Sequence, residues 1–208
     1  PSPGWPEVAM RGNARGFRGV GWGMSKSPPV AVLCCARRTH YRYMPGVECY
    51  DMDRDVRTFA GGMPVVAHPP CRSWSAFTAH QSKPEPGEKD LGPLCVEWLR
   101  KCGGVLEHPA HSRLFEYCGL PLPGKPRDGL WSIAVAQSWW AGHIGTEKRT
   151  WLCFAHIPPA EVHFPFTLRG SGGDKRLWQY MVRSLRSKTC RDMAEWLVTH
   201  ARLANTHD

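Results

Sequence analysis

Short, continuous apolar runs punctuate the first third of the chain. Val30 to Ala36 and Pro64 to Ala67 read as strands buried on both faces, since neither alternates with polar residues. Gly46 to Tyr50 reads as another strand between them, ending in the acidic cluster Asp51, Asp53 and Asp55. Arg37 to Pro45 is a polar, aromatic loop, and Val56 to Ala60 is long enough for one helical turn. Ser82 to Asp90 is a charged, proline-containing loop. Leu91 to Lys101 changes the period. Leu94, Cys95, Trp98 and Leu99 recur at helical spacing, and Gly103-Gly104 stops the helix.

Val105-Leu106 then predicts a short strand ending at Glu107, and Ser112 to Tyr117 a short helix. After a Pro/Gly loop from Leu120 to Gly129, Ile133 to Trp140 and Thr150 to His156 predict two further strands. Arg191 to Leu203 is amphipathic, with Met193, Trp196, Leu197 and Ala201 on one face. Strands alternating with helices imply an α/β layer fold with a mostly parallel sheet flanked by helices. The organisation expected is a disordered leader or tag over 1–28, a core over 29–156, a short basic loop-rich region over 157–190, and a C-terminal helix over 191–208 packing on the core. Met24 lies inside that leader as a candidate start.

Composition sharpens the picture in two respects. Lys plus Arg number 27 against 18 Asp plus Glu, for a net charge of +9. The leader carries +3 of it, from Arg11, Arg15, Arg18 and Lys26 against Glu7, which leaves +6 for the remainder. A polyanionic partner follows, with nucleic acid foremost. The chain has 9 cysteines, an odd number, with no C-x-x-C and no long apolar run. Reduced thiols in an intracellular, cytoplasmic protein are therefore expected. His108, His111 and Cys118 lack the regular spacing of a zinc site, and no metal is expected.

The chemistry concentrates in three segments. In His68-Pro69-Pro70-Cys71-Arg72-Ser73-Trp74-Ser75 the prolines put a thiol at a stiff corner after a strand, a position suited to nucleophilic attack. Leu106-Glu107-His108-Pro109 places a carboxyl group at a strand end. Glu147-Lys148-Arg149-Thr150-Trp151 runs basic residues into a strand. In this order, with gaps of 36 residues from Cys71 to Glu107 and 42 from Glu107 to Arg149, the three resemble the DNA cytosine-C5 methyltransferase family over residues 64–156.

That resemblance implies a reduced, phage-like Rossmann-type methyltransferase fold and a covalent reaction. Cys71 would add to C6 of cytosine, Glu107 would hold or protonate N3, and Arg149 would fix the base. Pro70, Arg72, Ser75, His108 and Trp151 would surround the base. Two departures fall here: the family's asparagine after the glutamate is His108, and its second arginine is Trp151, which can instead stack on a base. The target base would have to be flipped out or single-stranded. S-adenosylmethionine is the donor the family implies, with Asp51 and Asp53 as candidates for its ribose. Yet no glycine loop follows the first strand, so a folate-borne or other one-carbon donor is the alternative. Arg37, Arg38 and Arg42, interleaved with Tyr41 and Tyr43, and Lys175 with Arg176, are candidates for the DNA backbone. The competing functions are C5 modification of free pyrimidine nucleotides and a non-catalytic DNA-binding relative.

Overall fold

A computed structural model of the chain describes residues 27–75, 83–140, 148–165 and 189–204. All but two residues of the expected leader, Glu147, Lys175, Arg176 and most of 157–190 lie outside these. Six strands form one sheet in the order β2-β1-β3-β4-β6-β5. They are β1 (Val30–Leu33), β2 (Val47–Tyr50), β3 (Val65–Ala67), β4 (Gly104–Pro109), β5 (Leu130–Ala136) and β6 (Arg149–Ala155). The first four are mutually parallel, and β6 runs antiparallel to both β4 and β5.

β1, β3 and all but the last residue of β4 are buried, in keeping with their unbroken apolar runs. Helix α1 (Leu91–Cys102) covers one face, packing Cys95 and Leu99 with Leu33, Ala67 and Leu106. The short helix α2 (Arg113–Tyr117) adds Leu114 and Phe115 to that face. Helix α3 (Arg191–Ala201) covers the other, packing Met193 and Leu197 with Val32, Val66 and Phe154. The fold is therefore α/β with a mostly parallel sheet, as the alternation predicts, but with a thin helical cover. The β1–β2 crossover contains only a 3-10 turn, His40–Tyr43, in line with the shortness of the loop. No helix among the described residues is long and apolar enough to cross a membrane.

Three predicted strands differ in their limits by more than one residue: β4, expected to end at Glu107, runs on to Pro109 and holds the carboxylate within the strand. The first stops at Leu33, because Cys34 takes a left-handed conformation at φ 59° and turns the chain. The fifth starts earlier and ends at Ala136, after which Gln137–Trp139 forms a 3-10 turn. Gly104 permits the closest approach between backbones. Its φ is +120°, and a Cβ there would lie 2.0 Å from the Val65 carbonyl oxygen. This contact seats β4 on β3 and fixes the level at which Glu107 emerges.

Candidate active site

Chain order changes direction between β1 and β3, and parallel sheets bind ligands outside the carboxyl ends of the strands at such a switch point. The ends of β1, β3 and β4 meet there. The His68 amide donates to the Leu33 carbonyl at 3.0 Å, carrying the ladder one residue past β3. Alternation then sends the His68 side chain to the α3 face, where Glu107 of the neighbouring strand also projects.

Glu107 is only 6% exposed and densely partnered. Its Oε1 accepts from Gln137 Nε2 at 3.0 Å and Thr150 Oγ1 at 3.3 Å, and lies 3.7 Å from Lys148 Nζ. Its Oε2 lies 3.1 Å from His68 Nδ1. The other ring nitrogen of His68 lies 2.8 Å from the hydroxyl of Tyr41, a residue of the crossover turn. Burial pushes the Glu107 carboxyl up, but Lys148, His68 and His108 outweigh it and hold the group well below the usual carboxylate range. Glu107 is therefore ionised. Tyr41 is driven well above its ordinary value, first by burial and then by the Glu107 charge, so its hydroxyl keeps its proton.

Cys71 follows His68 by three residues, a stretch that spans at most ~11 Å. Its carbonyl accepts from the Trp74 and Ser75 amides at 3.1 and 2.9 Å, closing a turn. Trp74 anchors the turn, buried against Gly92 and Leu114, while its carbonyl accepts from the Arg113 amide at 2.9 Å. Cys71 is the one exposed residue among the nine cysteines, none of which is in a disulfide. Pro70, Arg72 and Ser75 are half-buried around it.

Several predicted site residues sit differently from expectation. Arg72 is not a loose cation beside the thiol: its Nε donates at 2.8 Å to the buried carboxylate of Glu88, which neutralises it. Arg149 begins β6 exposed, and alternation directs its Cβ to the face opposite Thr150 and Glu107. The cation beside Glu107 is its neighbour, Lys148. His108, on the α1 face, is fully buried, and burial lowers it to about 4, so it is neutral. Neither of its ring nitrogens makes a hydrogen bond of normal geometry. Trp151 is half-buried between His111 and Phe115, each ring centroid 5.1 Å away, rather than open for stacking.

Sequence reasoning gave His68, Tyr41, Gln137 and Thr150 no part in this site, and it placed Lys148 within the third segment without assigning it a role. The one available signal was Gln137, the sole uncharged amide in an otherwise apolar run.

The acidic end of β2 does not fit a ribose clamp. The Asp51 side chain is 1% exposed; it pairs with Arg42, and its Oδ1 accepts from the Asp53 and Arg54 amides at 2.8 and 3.2 Å. Asp53 is bound to Arg37 at 2.7 Å. The same pairings occupy two of the three described arginines expected to meet the DNA backbone, leaving Arg38 exposed beside them. These residues thus lace the crossover to β2 and offer an S-adenosylmethionine ribose no free carboxylate. Comparison with family models, curated proteins and solved structures finds no match to this chain.

Proposed function

We propose that this chain modifies cytosine at C5 in DNA through a covalent adduct between Cys71 Sγ and C6. One observation carries the reading. The exposed thiol sits on the loop leaving β3, three residues past a histidine seated on the buried carboxylate of the adjacent parallel strand. C5 of cytosine is a weak nucleophile. Forming the Sγ–C6 bond moves the C5–C6 π pair to C5, which can then bond to a one-carbon electrophile. The C5 hydrogen leaves as a proton, the Sγ–C6 bond breaks, and the ring is restored. An acid at N3 keeps negative charge off the ring during the addition, and Glu107 stands at the matching position. The donor is a one-carbon electrophile whose class the residues around β2 do not identify. The exposed Arg38 and Tyr43 at the same end, with the excess of positive charge, favour DNA over a free nucleotide.

A donor-independent experiment tests this. Addition of Cys71 followed by protonation at C5 and elimination exchanges the C5 hydrogen with solvent. Single- and double-stranded oligonucleotides incubated with the protein in D2O should gain deuterium at cytosine C5, read by mass spectrometry of the nucleosides. Cys71→Ser should abolish the gain. Exchange on dCMP but not on oligonucleotides would favour the free-nucleotide reading. Salt-sensitive DNA binding with no exchange on any substrate would favour a non-catalytic binding protein.

A further inference from the structure

C5 chemistry asks Glu107 for a proton, yet Glu107 is held as a carboxylate by its surroundings. Its two oxygens are not equivalent. Oε1 is taken by Gln137, Thr150 and Lys148, groups that bind an anion without occupying the other oxygen. Oε2 meets His68 alone among the described residues. His68 is itself gripped from behind by the Tyr41 hydroxyl at 2.8 Å. Holding a buried carboxylate requires the first three groups, whereas a ring clamped between a phenol and a carboxylate is what fixes a tautomer and delivers a proton in one direction. Of the three, the His68 side chain is at 13% the most accessible, and it opens the Cys71 loop.

We propose that His68 supplies the proton which turns Glu107 into the acid that holds N3, with Tyr41 as the positioning residue that aims the ring. The inference rests on the cytosine reading above. A protonated His68 passes its Nδ1 proton to Glu107 Oε2, leaving a neutral ring whose Nε2–H donates to the Tyr41 hydroxyl oxygen. The carboxylic acid donates to N3 as Sγ bonds to C6, and the proton returns along the same path when the adduct breaks. A single proton thus moves between the two side chains. The groups facing His68 are Tyr41 from the crossover, Glu107 and His108 from β4, and Lys148 before β6.

The C5 deuterium-exchange assay, run across pH, tests the assignment. Wild type should lose rate on the alkaline side as the shared proton is lost. His68→Gln should exchange at least ~10-fold more slowly, within the span of general acid catalysis. Its Cys71 should still be alkylated by iodoacetamide at the wild-type rate, and its oligonucleotide affinity should be unchanged. Tyr41→Phe, which keeps the buried ring, should shift the alkaline limb without removing it. Exchange in His68→Gln within twofold of wild type, with the same pH profile, would overturn the relay and leave the cytosine reading standing. Absence of exchange in wild type would overturn both.

Discussion

Lys148→Met isolates the physical basis of the site. At 3.7 Å from Oε1, the ammonium attracts the Glu107 carboxylate by about 4 kcal/mol at an effective dielectric of ~20. Both side chains are largely withdrawn from water, at 12% and 8% exposure, so solvent screens this little. Methionine keeps the length and apolar stem of lysine, so packing changes little. The carboxylate retains Gln137, Thr150 and His68, and breaking a buried pair on one side typically costs ~3–5 kcal/mol. A net loss of about 2–4 kcal/mol at pH 8 is therefore expected, or roughly 5–12 °C in Tm for a chain of this size.

The pH dependence fixes the sign. In the wild type, the Glu107 carboxyl lies below its unfolded value. It contributes stability that is present above the unfolded pKa, ~4.3, and is lost as pH falls through the folded one. Lys148→Met removes the largest of the opposing causes, and the burial that remains is expected to carry the folded carboxyl above the unfolded value. Ionisation then costs stability as pH rises through that raised value, so the deficit against wild type should shrink between pH 8 and pH 5. Urea denaturation at the two pH values measures it. A deficit below about 0.5 kcal/mol, or one equal at both pH values, would show that the lysine does not hold the carboxylate.

Native labelling with a limiting amount of iodoacetamide should modify Cys71 ahead of the other eight cysteines, as read by peptide mass mapping; prior modification of a buried thiol would contradict the loop geometry. Arg72→Ala leaves the buried Glu88 carboxylate without its guanidinium, and should cost about 1–3 kcal/mol in chemical denaturation while speeding Cys71 alkylation. Gly104→Ala forces a Cβ to within 2.0 Å of the Val65 carbonyl at a φ of +120°, so its loss should exceed ~4 kcal/mol and show as lost soluble yield; a stable Gly104→Ala would mean that β4 does not abut β3 as described.

The strands were legible because burial on both faces leaves no choice of side chain. Val30 to Leu33 and Val65 to Ala67 can only be apolar there, and Gly103-Gly104 marks the end of α1 by needing positive φ at both residues. The limits of β1 were hidden by Cys34, whose left-handed turn is a backbone state that its side chain does not advertise. The limits of β5 were hidden by Trp139 and Trp140, which follow the polar pair Gln137-Ser138 in the turn and prolong the apolar pattern, Trp140 being buried with α3. Glu107 was readable as a carboxylate on this strand, although the strand continues past it to Pro109.

Its partners were not readable, because they come from four separate places: the residue after β3, the turn after β5, the residue before β6 and β6 itself. A one-residue change of register decides which of Lys148 and Arg149 faces the carboxylate, and the sequence presents them side by side. The sheet settles this through Thr150. It is fully buried and paired with Pro109 across the ladder, and it puts its hydroxyl on Glu107, so the residue before Arg149, not Arg149, lies on the side of the carboxylate. The charge that matters at this site is thus set by the register of β6 on β4, in which Glu107 faces Leu152 and Pro109 faces Thr150.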